Sequence, residues 1–285
     1  MTNDPSFAKA TAGRQIPMTN KIRFLVFGDV VGRPGREAVS QVLPELREEY
    51  NPDSVIVNVE NISHGVGITA STFSEVEGWQ ADVYTLGDHA WDSKQGFEAL
   101  EDRRKPIVRP ANYPEGVPGR GYHIFSRGAY QVAVINLQGQ VFFRNQPWNP
   151  FHALDALLSR PEVLAANIKL VDFHAEATSE KRGLGWYADG RVAAIWGTHT
   201  HVPTADAQIL PKGTGYITDV GMCCNYNSII GVDKEGPLRS FLTQMKMSVS
   251  IDDTGPLEVG GLLLDIDAGT GKTTSIAHIR KILNN

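Results

Sequence analysis

Five apolar, β-rich runs in this sequence each lead directly into side chains that can bind a metal ion. The runs are residues 22–27, 54–59, 83–86, 168–173 and 192–196. Helical patterns alternate with the strands, which is typical of βαβ units and a mainly parallel sheet. Ligands of open α/β sheets gather outside the carboxyl ends of the strands. The chain is therefore predicted to fold so that these side chains meet at one edge of a sheet.

The side chains that follow these runs are oxygen and nitrogen donors, with no cysteine among them. They are Asp29, Glu60, Asp88, His174, His199 and His201. Such a set suits two metal ions better than one, and borderline metals such as Mn, Fe or Zn fit the mixture. His199 and His201 stand two residues apart, so a strand ending there would point both imidazoles to the same side.

Each donor also has an ordinary structural interpretation. Asp29 could cap the turn that follows its strand, Glu60 could form a plain ion pair, and His174 could be a hydrogen-bonded histidine of the core. Taken together, these interpretations do not explain why five strand ends all carry donors of the metal-binding type. We therefore favour the metal site.

Several segments resemble the calcineurin-like metallophosphoesterases, and among them the bacterial YmdB subfamily. The segments are 28–32, 60–61, 87–89, 172–181 and 197–201, with further likeness at 108–112, 133–139 and 216–222. The resemblance runs in order over residues 21–282. It implies a four-layer α/β/β/α sandwich with the metal site at the carboxyl ends of the strands. The length of the chain suits one large α/β domain or two small ones, and we favour a single domain over residues 21–285.

The same resemblance implies a phosphodiesterase that holds two divalent metal ions. One ion would be held by Asp29 and His201, the other by Asp88, His174 and His199, with Glu60 shared between them. Fe and Mn are favoured for these ions, with Zn as the alternative. The implied substrates are small cyclic nucleotides such as 2′,3′-cyclic AMP, attacked by a metal-activated hydroxide.

Five more residues receive roles beside the metals. The resemblance implies that His89 is not a ligand, and we expect it to act as a general acid or to hydrogen-bond the phosphate. Asn61 and His64 are expected to contact the phosphate, or in the case of Asn61 a ligand side chain. Glu176 and Asp219 are expected to orient ligand imidazoles. Weaker substrate candidates are Arg109 and Thr200.

One position departs from the pattern of the family. The family usually has Asn before the His of its Gly-Asn-His block, whereas this chain has Asp88. Asn offers a neutral carbonyl oxygen, and Asp offers a full negative charge. We expect Asp88 to bind its metal more tightly and to reduce the positive charge that faces the phosphate. The expected consequence is a changed metal preference or a lower rate.

Two other functions stay open at the level of the sequence. The first is a metal-dependent phosphomonoesterase or nuclease that uses the same site, because the shape of the substrate pocket decides between esters. The second is a non-catalytic metal-binding regulator in which Asp88 has removed turnover. Metal analysis combined with hydrolysis assays separates these alternatives from the phosphodiesterase.

Composition limits the partners of the protein. A net charge of −5 argues against an extended nucleic-acid surface, which needs clustered Lys and Arg. A small anionic substrate remains compatible, since bound cations supply local positive charge. The adjacent Cys223 and Cys224 make a poor disulfide, which fits a reducing cytoplasm. A homo-oligomer is left open.

The sequence also predicts the organisation of the chain. Residues 1–20 are polar, lack the apolar centre of a signal peptide and are expected to be a disordered extension. No apolar run reaches the length of a membrane span. Helices are predicted at 36–50, 70–79, 93–102 and 152–158, a strand at 130–137, loops at 106–121 and 141–152, and antiparallel strands at 247–251, 260–266 and 274–282.

Overall fold

Two β-sheets form the centre of the protein in a computed structural model that describes residues 20–284. In spatial order, the first sheet contains β13 (Lys272–Leu283), β12 (Leu257–Asp267), β11 (Met222–Asn225), β1 (Lys21–Val30), β2 (Ser54–Asn58), β3 (Val83–Thr85) and β4 (Ile107–Val108). Strands β11 and β1 to β4 are parallel, and β12 pairs antiparallel with β1 and with β13. The C-terminal pair therefore extends the same sheet that begins with β1.

The second sheet is also mainly parallel. Its strands in spatial order are β5 (Tyr122–Arg127), β6 (Tyr130–Gln138), β7 (Ile168–His174), β8 (Ala194–Thr198), β10 (Gly215–Ile217) and β9 (Gln208–Ile209). Strands β6, β7, β8 and β10 run parallel, while β5 and β9 pair antiparallel at the two edges.

Helices cover the outer faces of both sheets, except the last helix of the described chain, which has no buried residue. They are α1 (Gly32–Tyr50), α2 (Ala70–Glu77), α3 (Phe97–Glu101), α4 (Pro150–Leu158), α5 (Pro161–Leu164), α6 (Thr178–Ala188) and α7 (Glu235–Thr243). The apolar stripe of α1, which includes Val39 and Val42, packs on the first sheet, and Leu154 of α4 packs on the second. Burying one such side chain contributes about 1.5–3 kcal/mol.

A third apolar cluster lies between the two sheets. It joins Phe24 and Ile56 of the first sheet to Leu170 and Trp196 of the second, and all four are fully buried. The layers therefore follow the order helix, sheet, sheet, helix, which confirms the predicted four-layer sandwich.

Most of the predicted elements are present with shifted ends. The predicted helix 93–102 is split into a short 3-10 helix, Lys94–Gly96, and α3. The last two predicted strands are confirmed as β12 and β13, which pair antiparallel. The segment predicted as a loop, 106–121, contains the two-residue strand β4.

The predicted strand 247–251 is wrong. This segment has no strand partner in the described part of the chain, and the polar groups of Ser250 pair with Asp233 instead. The backbone N–H and the hydroxyl of Ser250 both donate to Asp233, and the Ser250 carbonyl accepts from the Asp233 N–H. Ile251 then packs against a small cluster with Val31 and Met222.

The described residues bear on three other expectations from the sequence. The prediction for residues 1–20 falls outside them except at Asn20, whose carbonyl accepts from Ala268 N–H. Cys223 and Cys224 are buried free thiols. Between residues 20 and 284, no helix combines the length and the apolar character that crossing a membrane requires.

Candidate metal centre

The predicted donors lie at the carboxyl ends of strands from both sheets. In chain order they are Asp29 on β1, Glu60 after β2, Asp88 after β3, His174 at the end of β7, and His199 and His201 after β8. The parallel strands of the two sheets end at the same edge of the sandwich. Residues that are far apart in the sequence therefore converge there.

Four of the donors form one tight cluster. Ligand atoms of Glu60, Asp88, His174 and His199 all lie within 4.8 Å of one another. His174 Nε2 lies 2.9 Å from Glu60 Oε1 and 3.0 Å from Asp88 Oδ1. His199 Nδ1 lies 3.0 Å from His174 Nε2 and 3.4 Å from Asp88 Oδ1. These separations let all four side chains bind one small cation.

Asp29 and His201 form a second locus beside this cluster. Asp29 Oδ1 lies 3.8 Å from His201 Nε2, and the same oxygen lies 3.8 Å from His174 Nδ1. The other ring nitrogen of His201, Nδ1, lies 2.8 Å from the carbonyl oxygen of Ile230. When that nitrogen donates to the carbonyl, the lone pair of a neutral imidazole is on Nε2, which faces Asp29.

The donor set fits a cation on physical grounds. Asp29 Oδ1 is buried and has no hydrogen-bond partner within residues 20–284. Asp29 and Glu60 are both fully buried, and a buried carboxylate without a compensating charge is costly. Divalent cations would satisfy the orphaned oxygen and offset the negative charge. We therefore conclude that these residues suit metal ions.

The pKa values of His174 and Asp88 reflect the close packing of charged groups in the cluster. Burial by itself would lower the pKa of His174, but the carboxylates of Glu60, Asp88 and Asp29 raise it well above its usual value. Burial opposes ionisation of Asp88, yet its hydrogen bonds with His174 and His199 lower the pKa of this carboxyl. The lowered pKa keeps the Asp88 carboxylate ionised, as a metal ligand must be.

A buried relay behind His174 fixes the orientation of its ring. His174 Nδ1 lies 3.0 Å from Thr198 Oγ1, and the Thr198 hydroxyl donates to Asp172 Oδ1 at 2.7 Å. Asp172 also accepts from Thr85 and, at 3.3 Å, from Asn58 Nδ2. Because the Thr198 hydroxyl donates its hydrogen bond to Asp172, the Thr198 oxygen accepts one from His174 Nδ1–H. The lone pair of the His174 ring is then on Nε2, which faces the cluster.

The sequence reasoning did not single out this relay. Asp172, Thr85 and Asn58 lie on strands and are completely buried, so the sequence pattern shows them only as polar interruptions of apolar runs. A buried polar residue needs a hydrogen-bonding partner, and that requirement is the signal that could have identified them.

His199 and His201 do not reach the site in the way that the sequence predicts. Strand β8 ends at Thr198, and both histidines have positive φ, 92° and 62° respectively. Strand alternation therefore does not explain their convergence. Left-handed backbone is uncommon for residues other than glycine and costs on the order of 1–3 kcal/mol, and such positions cluster at functional sites.

The turn that carries these histidines is held by Asp219. The expectation that Asp219 orients ligand imidazoles stays a prediction, and the contacts of its carboxylate are with this turn and with Lys181. Asp219 Oδ2 accepts from Lys181 Nζ at 2.7 Å and from the Thr200 hydroxyl at 2.6 Å, and Oδ1 accepts from Gly221 N–H at 2.8 Å. Thr200 lies between the two histidines, so Asp219 fixes their backbone.

His89 stands at the exposed side of the cluster. Its Nδ1 lies 2.7 Å from Asp92 Oδ2, and its Nε2 lies 4.0 Å from Asp88 Oδ2. Burial would lower the pKa of His89, but Glu60, Asp88 and Asp92 raise it above its usual value. Because 30% of its side chain is exposed, His89 can contact a bound ligand. Its geometry allows it to donate a proton or a hydrogen bond.

Three further predicted residues have different surroundings. Glu176 Oε2 lies 3.0 Å from His199 Nε2, which is the contact that an orienting role requires. Asn61 Nδ2 donates to Glu60 Oε1 at 3.2 Å and lies 3.3 Å from His201 Nε2. His64 is exposed with a positive φ of 55°, and among residues 20–284 its ring has no hydrogen bond.

One aromatic ring packs beside the histidines of the cluster. The ring of Phe143 lies 4.7 Å from the ring of His199 and 6.3 Å from that of His174. It belongs to the irregular segment 141–152 that the sequence places beside the site, although the sequence could not say which aromatic residue turns inward. The neighbouring Phe142 points outward and is 84% exposed.

The fold is shared with nucleotide-cleaving proteins at low identity. The NAD nucleotidase of Haemophilus influenzae superposes with a TM-score of 0.57 at 14% identity, over 93% of this chain and 56% of that chain. Together, the four-layer sandwich and the donors at its strand ends define a calcineurin-like metallophosphoesterase, an enzyme that hydrolyses phosphoric esters. The sequence profile described as YmdB-like protein matches residues 25–279. The chain belongs to the YmdB-like family.

Two relatives cover nearly the whole chain. The 2′,3′-cyclic-nucleotide 2′-phosphodiesterase of Bacillus subtilis is 44% identical over 258 residues, which is 90% of this chain and 96% of that protein. The crystal structure of a phosphatase from Mycoplasma pneumoniae superposes with a TM-score of 0.87 at 34% identity, over 94% of this chain and 96% of that chain.

Proposed function

We propose that this protein is a phosphodiesterase that uses two divalent metal ions to hydrolyse 2′,3′-cyclic nucleotides. The observation that carries the proposal is the buried oxygen of Asp29, which has no partner among the described residues and lies beside a cluster of four further donors. The substrate class is supported by the name of the Bacillus subtilis relative, which is similar over 90% of this chain. We also propose that residues 21–285 form one domain around this site.

The ligands divide between the two loci. We assign Asp29 and His201 to one ion, and Asp88, His174 and His199 to the other, with Glu60 shared. The division is supported by the tight packing of the second group and by the position of His201 Nε2, 3.8 Å from Asp29 Oδ1. Fe or Mn suits this mixture of carboxylate and imidazole best, and Zn is the alternative.

The side chains around the ions complete the proposed chemistry. When bound, two such cations act as Lewis acids on a phosphodiester and acidify a water molecule. His89 donates a proton to the leaving ribose oxygen, with Asp92 holding its ring at Nδ1. Asn61 and His64 contact the phosphate, Glu176 fixes His199, and Asp219 fixes the turn between the two histidines.

Metal analysis and hydrolysis assays on purified protein test the proposal. Protein with about two Mn or Fe per chain is expected to cleave 2′,3′-cyclic AMP and bis-p-nitrophenyl phosphate but not p-nitrophenyl phosphate. The variant Asp29→Asn is expected to lose metal and activity together. The matched control Asp102→Asn, which changes a carboxylate paired with the exposed Arg104, is expected to lose neither.

The same assays separate the alternatives. A phosphomonoesterase is the second candidate, since the Mycoplasma pneumoniae structure is described as a phosphatase. Turnover of the monoester at a rate similar to that of the diesters would favour it. Tight metal binding without turnover of any ester would instead indicate a regulator whose Asp88 has abolished catalysis.

A further inference from the structure

A cavity of about 780 Å³ lies outside the metal cluster and is lined by an unusual number of arginines. They are Arg103, Arg109, Arg120 and Arg160. None of the six metal donors lines the cavity. Tyr113 stands between the two regions: it lines the cavity, and its ring lies 4.6 Å from that of Trp91, which follows Asp88 by three residues.

Within residues 20–284, Arg103, Arg109 and Arg120 have no ion pair with a carboxylate. Arg160 has an acidic neighbour, because the hydrogen bond from Tyr122 and the charge of Arg160 together lower the pKa of the Glu162 carboxyl. Arg120 donates instead to the carbonyls of Arg103, at 3.2 Å, and of Lys105. Glu101 and Glu115 also line the cavity, so the arginines exceed the carboxylates there by two. A chain with net charge −5 thus concentrates positive charge at this place.

Among the four arginines, Arg109 gives the strongest evidence for an anion in the cavity. The residue is 8% exposed, and its Nη1 donates to the carbonyl of Pro110 at 2.8 Å. Its buried Nε has no hydrogen-bond partner in the described part of the chain. Burial lowers the pKa of Arg109, although a guanidinium remains charged in proteins. Because that Nε is closed to solvent, it is the largely buried cationic side chain lining the cavity that favours an anion there.

Backbone contacts fix the position of Arg109. Arg109 N–H donates to the carbonyl of Arg120 at 2.9 Å, which places the two guanidinium-bearing residues on facing segments. Gly119 has a φ of +94°, and a Cβ there would lie 2.9 Å from Arg109 Cγ. A Cβ at Gly121 would lie 2.3 Å from Ala111 Cβ. Glycine at both positions lets the facing segment pack closely over the arginine.

The lining suits an oxyanion such as phosphate. The planar fork of a guanidinium matches phosphate oxygens and binds them with two hydrogen bonds. His123 also lines the cavity, and burial together with Arg120 lowers its pKa to about 4, so it adds a neutral ring rather than charge. The tyrosines Tyr113 and Tyr122 add aromatic surface. The cavity volume falls within the range of about 300–1,000 Å³ that is typical of ligand pockets.

We propose that this cavity is a second anion site, distinct from the metal centre, which binds the phosphate of a nucleotide-sized phosphomonoester with Arg109 as its buried anchor. The ligand is a bound effector or a released product, and its recognition does not require a metal ion. The proposal does not depend on which ester the metal centre hydrolyses.

Calorimetric titration with AMP and with inorganic phosphate tests this site. The metal-loaded protein and the EDTA-treated protein are titrated side by side, so that binding at a cation of the donor cluster is recognised because EDTA abolishes it. We expect the wild type to bind AMP at one site, and Arg109→Gln to bind it about 10-fold or more weakly, because a hydrogen bond to a charged group is lost. Weaker binding of inorganic phosphate than of AMP would show that the tyrosines contribute.

Two matched variants make the result decisive. Arg104→Gln removes an arginine that is 90% exposed and lies outside the cavity, and it is expected to bind AMP like the wild type. Arg160→Gln changes an exposed residue of the cavity, which keeps the test valid if Arg109→Gln does not fold. Binding of AMP that requires metal, or that is unchanged in both Arg109→Gln and Arg160→Gln, would overturn the proposal.

Discussion

Replacing Thr198 by valine tests whether the relay behind His174 prepares the metal centre. Valine has nearly the shape of threonine but cannot bridge His174 Nδ1 and Asp172, which lie on either side of the hydroxyl at 3.0 and 2.7 Å. Burial raises the pKa of Asp172 to about 6, so the bond that is lost at neutral pH involves a carboxylate. We expect unfolding to cost about 2–4 kcal/mol less, since a hydrogen bond to a charged group contributes about 1.5–3 kcal/mol and an unpaired buried donor adds to the loss.

The same substitution is expected to weaken metal binding. Loss of the partner that orients a ligand histidine typically reduces metal affinity by about 10- to 100-fold. Competition with a chromophoric chelator measures the affinity, and urea unfolding of the metal-free protein measures the stability. Thr198→Ser keeps the hydroxyl and serves as the control. If Thr198→Val bound metal as tightly as the wild type and the serine variant, the relay would have no role in preparing His174.

Three further substitutions address other parts of the site. His89→Ala is expected to reduce turnover of a cyclic nucleotide by about 10²- to 10⁴-fold with metal content near that of the wild type, and an equal loss of metal would show that His89 is a ligand instead. Asp88→Asn is expected to change the rate or the metal preference, measured by assays with Mn, Fe and Zn; an unchanged enzyme would refute the argument from charge. Lys181→Met leaves the buried Asp219 carboxylate without its cationic partner and is expected to lower the free energy of unfolding by about 3–5 kcal/mol. Lys281→Met removes a surface ion pair and should lower the free energy of unfolding by less than about 1 kcal/mol. Equal effects of the two lysine variants in urea unfolding would contradict the importance of burial.

The sequence predicts the parallel sheet because the information for it is local. Apolar runs such as 22–27 and 168–173 alternate with helical patterns, and their order alone indicates a parallel sheet with its ligands at the carboxyl edge. The donors themselves were identifiable because each one directly follows such a run. The resemblance to the YmdB subfamily then supplied the fourth layer and the class of enzyme, which periodicity could not.

The remaining features depend on tertiary contacts that no local pattern encodes. Helix α6 contains Gly183 and Gly185, which weaken its helical pattern, and the close approach of Tyr216 to Gly185 explains why glycine is used there. The left-handed conformation of His199 and His201 depends on Asp219, which is eighteen or more residues away in the sequence. Likewise, the wrongly predicted strand 247–251 pairs with Asp233 rather than with a neighbouring strand.

Anomalous diffraction from crystals of the metal-loaded protein, collected at the absorption edges of Mn, Fe and Zn, addresses the proposed centre most directly. We predict two peaks about 3.5–4 Å apart, one bound by Asp29 and His201 and the other by Asp88, His174 and His199, with Glu60 reaching both. A single peak, or peaks that are bound by other side chains, would contradict the two-metal phosphodiesterase.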